Sequence, residues 1–211
     1  FKGMENWSTD TGAPDFLQQI GVDVNFRFVP YSQGTFYGPA LEELKFDTVE
    51  PLFYLVERGT SPESLDQGLK QQALDAGAEI LFNRRIDHAM AKTVVVATGP
   101  PAADAIVRGV LFETSHPDAC FGFLDDHIAP RGYAYLLVHD GHATLATCLF
   151  NDFERALDYF KSTAKTIRQV VKMDVRFPRS FGGYANFALM SSWTRKHGTY
   201  FVGERAGFQD A

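Results

Sequence analysis

The 211-residue sequence has little cysteine, and its residues able to bind metals are scattered. Cys120 and Cys148 are its only cysteines, and they form no CxxC pair, so the pattern favours reduced thiols of an intracellular protein over a disulfide framework. None of the six histidines lies at a metal-ligand spacing from a cysteine, aspartate or glutamate. The sequence therefore predicts neither structural disulfides nor a metal site.

The sequence also lacks an excess of positive charge and long apolar runs. Its 26 acidic and 20 basic residues give a net charge of -6, which argues against nucleic-acid binding because phosphate recognition needs clustered Lys and Arg. No apolar run is long enough to cross a bilayer, and no secretory leader opens the chain. We therefore expect a cytoplasmic protein without a transmembrane segment. A peripheral membrane contact and a homodimer stay open.

Aromatic residues, by contrast, are abundant. The 19 Phe, 8 Tyr and 2 Trp make up 14% of the chain, which favours a large core, with an apolar pocket for a flat or lipidic ligand as the alternative. The length suits one large domain, or one domain with a small second lobe. Because the chain starts at Phe1 and stops at Ala211 shortly after a glycine-rich turn, we expect it to be a piece of a longer protein.

Periodicity and turn residues predict a mixed first half. A helix is expected at 15–20, closed by Gly21, and strands at 22–29, 41–46, 52–56, 79–82 and 93–97. Residues 31–39 are rich in turn residues. A helix capped by Ser61 is expected to place Leu65, Leu69, Ala73 and Ala76 on one face and to end at Gly77. The order strand, helix, strand indicates a sheet with a crossover.

The second half reads as an antiparallel meander followed by a long helix. Strands are expected at 109–114, 120–124, 132–138 and 143–150, the last two joined by an Asp140-Gly141 turn. An amphipathic helix is expected at 152–173, then a turn at Gly182-Gly183 and strands at 184–190 and 200–202. The fold class is therefore α+β: an α/β-like portion, and an antiparallel sheet with a long helix.

Two strand ends carry small residues that would allow close approach of a cofactor. The strand at 200–202 runs into Gly203-Glu204-Arg205-Ala206-Gly207, where backbone N–H groups could meet phosphate and Glu204 a sugar hydroxyl. The strand at 94–96 runs into Ala97-Thr98-Gly99. A plain hairpin, or a helix entry, is the alternative at the first position, and an ordinary turn at the second.

Two further segments offer side chains for binding. Arg58 stands at a strand end, where it could meet a phosphate or carboxylate or remain a solvated charge. Tyr133 and Tyr135 share one face of a strand, which is either core or a pocket wall. His127 is close enough in sequence to be considered with them. No acid–base pair is evident, so the catalytic residues stay unassigned.

Together, these segments resemble FAD-dependent oxidoreductases of the geranylgeranyl reductase and p-hydroxybenzoate hydroxylase type. The opening stretch at 4–8 is similar to reductase-like members of the family. Five further elements follow in the same order as in the family: an Arg after a strand (Arg58), an AxxxGA-like helix end (73–78), an ATG element (97–99), a GYxW-like strand with Tyr for Trp (132–135) and a G-D/E-x-A-G-F-x-D element (203–210). The resemblance spans nearly the whole chain, and the last element is the most specific.

The resemblance implies that different parts of the chain bind the cofactor and the substrate. Residues 51–100 and 199–211 would be parts of a split FAD-binding domain, and residues 1–50 and 101–198 a substrate-binding antiparallel sheet with helices. Gly203, Glu204, Ala206 and Gly207 would face the ribityl and pyrophosphate part of FAD. Ala97, Thr98 and Gly99 would lie near its adenosine side, with Arg58 near the dinucleotide. Tyr133 and Tyr135 would line the substrate pocket.

The chain departs from this family in several elements, including a short polar connection at 83–92 where the family has a β-rich insert. The GxGxxG that places pyrophosphate at a helix N-terminus is absent from the sequence. The resemblance thus implies that the longer protein binds FAD and that this piece alone binds it poorly and is inactive. The implied activity is reduction of an isoprenoid or other apolar small molecule. Flavin-dependent hydroxylation of an aromatic substrate and a non-catalytic ligand-binding domain without flavin are the alternatives.

Overall fold

A computed structural model describes residues 1–6, 10–86, 91–99, 102–187, 194–195 and 198–208. Within these residues the chain is α+β, as predicted. The strands are β1 (Lys2–Glu5), β2 (Phe28–Tyr31), β3 (Gln33–Tyr37), β4 (Glu43–Asp47), β5 (Phe53–Val56), β6 (Val94–Val96), β7 (Ala105–Glu113), β8 (Ala119–Phe123), β9 (Tyr133–His139), β10 (His142–Leu149), β11 (Arg176–Ala185), β12 (Thr194–Arg195) and β13 (Thr199–Phe201). The helices are α1 (Ala13–Gln19), α2 (Leu65–Asp75) and α3 (Ala156–Val170), with short 3-10 turns at Phe153–Arg155 and Gly203–Ala206.

A seven-stranded sheet in the order β11-β7-β10-β9-β8-β3-β4 forms the centre of the fold. All its neighbouring pairs are antiparallel except β3 and β8. The hairpin of β9 and β10 turns at Asp140 and Gly141, whose φ angles of 50° and 72° suit a tight hairpin. The predicted meander holds for β8, β9 and β10, whereas β7 lies on the far side of β10.

Helix α3 covers one face of this sheet. Alternate residues of the central strands, including Leu136 and Leu149, are fully buried and pack with Ile167 of α3. Inside this layer, the hydroxyl of Thr147 donates to Oγ1 of Thr163 over 2.7 Å, and that of Thr163 donates to the carbonyl of Ile128 over 3.3 Å. The core between sheet and helix is thus apolar with a satisfied pair of hydroxyls.

A three-stranded antiparallel sheet, in the order β1-β5-β2, covers the opposite face. Leu55 and Tyr31 from this small sheet pack against Cys120 and Leu137 of the large one. The Tyr31 hydroxyl also donates to the carbonyl of Val138 over 2.9 Å, which ties the two sheets together. The large sheet therefore lies between α3 and the small sheet.

The third sheet brings distant parts of the sequence side by side. Strands β6 and β13 pair in parallel, and β12 adds to β13 in antiparallel orientation. The pairing continues past the strands, since the amide of Val202 donates to the carbonyl of Val96 over 3.2 Å. Two loops therefore leave this sheet at the same edge, because the carboxyl ends of parallel strands lie together.

Several predicted elements in the first half are wrong in position. The strand expected at 22–29 begins only at Phe28, because Gln72 bonds the backbone of Asp23 and the Asn25 amide donates to the carbonyl of Gly68, which holds this segment along α2. The turn-rich stretch at 31–39 contains β3. No strand forms at 79–82, where the segment lies exposed.

The cap of α2 and the course of β11 also differ from prediction. Ser64, rather than Ser61, caps α2: its Oγ accepts from the amide of Gln67 over 3.3 Å. The predicted Gly182-Gly183 turn lies inside β11, which runs ahead of the strand expected at 184–190. Residues 188–190 of that expected strand lie outside the described residues. No helix in the described part of the chain is both long and apolar enough to cross a membrane.

Candidate functional site

A cavity of about 510 Å³ lies between the large sheet and the strands β1 and β5. Tyr133 and Tyr135, the two residues predicted to line a substrate pocket, are both in its wall, and so are both cysteines. The wall is mostly apolar and aromatic, with Phe53 from the small sheet among its side chains. Its size falls in the range of about 300–1,000 Å³ that small-molecule sites occupy.

The tyrosines reach the cavity together because alternate residues of a strand share one face. Their ring centroids are 6.2 Å apart. Burial raises the pKa of Tyr135 to about 12. It also raises the pKa of Cys120 to about 12 and that of Cys148 to about 11, with a Tyr133 hydrogen bond opposing the shift at Cys148. At neutral pH, these three side chains are therefore uncharged.

One cationic side chain, that of Lys2, stands at the edge of the cavity. Its Nζ lies 4.9 Å from the ring centroid of Phe181. Desolvation lowers the pKa of Lys2, and the charge of Arg58 lowers it further. The sequence does not predict Lys2 as a cavity residue, since nothing in its local sequence indicates that β1 lies against the cavity.

The residues predicted to approach a cofactor lie at the shared edge of β6 and β13. Ala97, Thr98 and Gly99 follow β6, and the 3-10 turn Gly203–Ala206 follows β13. Gly99, Gly203 and Gly207 all have positive φ, at 79°, 57° and 79°. A Cβ added to Gly99 or Gly203 would meet nothing within 4 Å. The parallel pairing thus brings the two predicted binding elements together, although Gly99 and Gly203 are 104 positions apart in sequence.

Arg58 lies near the same turn but is held by a carboxylate. Its Nε and Nη2 each donate to Asp66 over 2.8 Å, and the amide of Gly59 donates to Asp66 over 2.7 Å. The hydrogen bond to Asp66 raises the pKa of Arg58, and the charge of Glu204 acts in the same direction. Arg58 is therefore within electrostatic reach of Glu204, with its guanidinium already engaged.

The cavity and the turn are joined by the segment that follows β11. The Asn186 amide donates to the carbonyl of Glu204 over 3.4 Å. The next residue, Phe187, lines the cavity, and its backbone N–H donates to Asp104 over 2.9 Å. A ligand group at the turn and a ligand in the cavity would therefore be neighbours.

The turn also contains a donor that the sequence did not reveal. Nε of Arg205 is buried and has no hydrogen-bond partner among the described residues. The guanidinium carbon lies 5.4 Å from the ring centroid of Phe201. A buried donor without an acceptor is unusual, and an oxygen of a phosphate or sugar would satisfy it. Together with the open space at Gly99 and Gly203, it fits the nucleotide part of a dinucleotide cofactor.

His127 lies elsewhere. Its side chain is 91% exposed, pairs with Asp125 over 2.8 Å and takes no part in the cavity wall. The suggestion that it lines the pocket is therefore wrong. It follows β8 on a loop outside the strand that carries the tyrosines, so the strand's alternation does not extend to it.

Comparison with known proteins gives a fold but no family. No protein-family model and no curated protein matches this sequence. A geranylgeranyl bacteriochlorophyll reductase-like protein from Thermoplasma acidophilum is similar in structure, with a TM-score of 0.67 and 17% identity over 98% of this chain and 61% of that one. The peptidyl tryptophan dihydroxylase QhpG gives a TM-score of 0.60 and 14% identity over 96% of this chain and 51% of that one.

A third similar structure is FqzB, with a TM-score of 0.59 and 9% identity over 85% of this chain and 54% of that one. The chain thus spans between 51% and 61% of the length of these three proteins. Identities this low carry information about the fold alone. The described chain therefore shares its fold with the matching parts of these three proteins.

Proposed function

We propose that this chain is the substrate-binding part of an FAD-dependent oxidoreductase, together with one portion of its flavin site. The proposal rests on two features that lie next to each other in the structure. An apolar cavity lies beside two parallel strand ends with open, positive-φ glycines, and Asn186 connects the two. An isolated ligand-binding domain would need the cavity but not the second feature.

Each residue of the candidate site would have a separate role in binding the cofactor or the substrate. Gly99 and Gly203 leave room for the cofactor's backbone, Glu204 accepts from a sugar hydroxyl, and Arg205 donates to an oxygen. FAD, when bound, supplies hydride transfer to or from the substrate. The cavity holds the substrate against the large sheet and keeps water away from it. Arg58 acts through its charge, since Asp66 already accepts hydrogen bonds from its Nε and Nη2.

The cavity's extent supports a long apolar substrate. Its wall runs from Val107 on β7 across β10, β9 and β8 to Phe36 on β3. Four strand spacings of about 4.8 Å each give a span of roughly 19 Å. A span of this length suits an extended chain, such as an isoprenoid, better than a single aromatic ring.

A titration with FAD tests the cofactor assignment, using the protein expressed from its complete gene. We expect Gly99→Ala to weaken FAD binding about tenfold or more, equivalent to roughly 1.4 kcal/mol, because the added methyl group enters the space assigned to the cofactor. Gly21→Ala is the matched control, since Gly21 has the same φ of 79° and equally open surroundings at the end of α1. Equal binding by the two variants would contradict the assignment.

A second experiment separates reduction from hydroxylation. The reduced holoprotein is mixed, without oxygen, with a long-chain polyunsaturated isoprenoid alcohol, and re-oxidation of the flavin is followed by absorbance. Substrate-dependent re-oxidation without oxygen supports a reductase. Re-oxidation only after oxygen is admitted, with oxygen incorporated into an aromatic compound, would favour a hydroxylase, as the likeness to QhpG allows.

A further inference from the structure

The cations of α3 lie on one side of its exposed face. Lys161, Lys165 and Arg168 follow one another at spacings of four and three residues, which places them along one line of the helix surface. All three side chains are exposed. Lys172, which is also exposed, follows two residues after the end of α3 and extends this line. These four residues form a basic stripe.

The neighbouring line of the helix is neutral. It consists of Ser162, Thr166 and Gln169, which repeat the same spacing one position later. The helix dipole favours a cation in the last turn and so accounts for Arg168. It does not account for the two lysines of the helix, which lie further from its C-terminal end. Helix stability alone therefore does not explain why the cations are gathered on one line.

Few carboxylates balance the stripe. None of the ion pairs among the described residues includes its last three members, and Lys161 makes only a 3.9 Å contact with Asp158. Residues 161–179 contain six Lys and Arg and a single acidic residue, Asp174. That carboxylate pairs with Arg176 over 3.0 Å. Since the whole chain carries a charge of -6, the rest of the chain is more negative still.

Two exposed apolar side chains follow the stripe in sequence. Val175 is 47% exposed and Phe177 is 71% exposed. The register of β11 against β7 shifts between Arg176 and Arg179, so Phe177 lies in a bulge, where its backbone has a φ of 50°. Exposed apolar side chains beside a row of cations are typical of surfaces that rest on a bilayer. The cations meet the lipid phosphates, and the apolar groups enter the boundary between head groups and acyl chains.

We propose that the basic stripe binds the surface of an anionic lipid bilayer, with Phe177 inserted at the head-group boundary. Lysines suit this partner, because an ammonium on a flexible stem pairs with mobile phosphates, whereas the fixed fork of arginine suits the carboxylates of a folded acidic protein. The same lipids repel the negative rest of the chain, which fixes the orientation. Helix α3 then faces the bilayer, and the cavity lies on the opposite face of the large sheet. The proposal goes beyond the substrate and cofactor roles given above and does not depend on them.

Co-sedimentation of the protein, expressed from its complete gene, with lipid vesicles tests the proposal. The vesicles contain phosphatidylcholine alone, or phosphatidylcholine and phosphatidylglycerol at about two to one, so that only the second kind is anionic. We expect binding to the anionic vesicles only, and its loss in about 1 M salt, where the Debye length is about 3 Å. Each cation near such a surface contributes about fivefold in affinity, or about 1 kcal/mol. The double variant Lys165→Gln, Arg168→Gln should therefore bind about twentyfold more weakly.

Lys45→Gln combined with Arg84→Gln is the matched control, because it removes one lysine and one arginine that are exposed and lie outside α3. It should change vesicle binding by less than about twofold, since charges beyond a Debye length of the lipid are screened. Phe177→Asn should weaken binding about threefold or more, because asparagine accepts the left-handed backbone but gains nothing at the lipid boundary. Unchanged binding of this variant would overturn the insertion of the ring.

Equal binding to both kinds of vesicle, or no binding to the anionic kind, would overturn the proposal, and so would equal weakening by the two double variants. Soluble polyglutamate tests the other kind of partner. If polyglutamate binds through Lys165 and Arg168 while the vesicles do not bind, the stripe is a docking site for an acidic protein, and the assignment to a bilayer is wrong.

Discussion

Besides the bonds to Asp66, a buried hydroxyl, that of Ser64, links the loop that carries Arg58 to α2. The side chain is fully buried, its O–H donates to the carbonyl of Gly59 over 2.7 Å, and its Oγ accepts from the amide of Gln67 over 3.3 Å. Ser64→Ala removes both bonds and leaves two backbone groups without partners. We therefore expect a substantial loss of stability from the removal of a single oxygen atom.

The magnitude follows from the two bonds. Loss of an N-cap hydroxyl costs about 0.5–2 kcal/mol, and an unmade bond to a backbone carbonyl adds about 1 kcal/mol. Ser64→Ala should therefore lower the free energy of unfolding by roughly 1.5–3 kcal/mol. For a chain of this size, 1 kcal/mol moves the Tm by about 2–4 °C. Urea denaturation and a thermal melt followed by circular dichroism measure both quantities.

Ser61→Ala is the matched control, because Ser61 is the residue that the sequence alone favours as the cap. In the structure only its backbone carbonyl takes part, accepting from the amide of Ser64 over 3.0 Å. Its substitution should change stability by less than about 0.5 kcal/mol. Equal losses in the two variants, or a larger loss for Ser61→Ala, would contradict the assignment of Ser64 as the cap of α2.

Two other changes follow from the buried polar groups. Thr163→Val should lower the free energy of unfolding, measured by urea denaturation, by about 1–3 kcal/mol, because it leaves the hydroxyl of Thr147 and the carbonyl of Ile128 without a hydrogen-bond partner. Thr147→Val should lower it less, since Thr163 keeps its bond to that carbonyl. A larger loss for Thr147→Val than for Thr163→Val would be inconsistent with these bonds. Because burial raises the pKa of Cys120 and Cys148 to about 12 and about 11, the folded state holds these protons more tightly than the unfolded state. Stability should therefore decline as the pH rises above the unfolded thiol pKa of about 8.5, and both thiols should react slowly with Ellman's reagent at about pH 8; prompt reaction of both in folded protein would contradict their placement.

Local signals predicted those elements that depend on nearby residues. The hairpin of β9 and β10 follows from the Asp140-Gly141 turn between two apolar runs, and α3 follows from a stripe at helical spacing. The strand predicted at 22–29 is wrong in position although its apolar and polar residues do alternate. The hydrogen bonds that hold Asp23 and Asn25 out of a strand come from Gln72 and Gly68, far along the chain. Tertiary contacts of this kind leave no local signature.

In the candidate site, too, local sequence predicts some residues, whereas others are placed only by tertiary contacts. Tyr133 and Tyr135 could be placed on one cavity wall from the alternation of their strand alone. Lys2 and Cys148 come together only because β1 crosses the face of the large sheet, an arrangement that no sequence spacing indicates. The unsatisfied donor of Arg205 likewise depends on the fold of the turn around it.

The visible absorption spectrum of the protein, expressed from its complete gene and purified without added cofactor, tests the oxidoreductase assignment. We expect a yellow protein with a flavin spectrum, which releases FAD on denaturation. We also expect Glu204→Ala, which removes the carboxylate assigned to a sugar hydroxyl, to lower the amount of retained flavin. A colourless protein that also fails to take up added FAD would contradict the oxidoreductase assignment and leave the cavity as that of a ligand-binding domain.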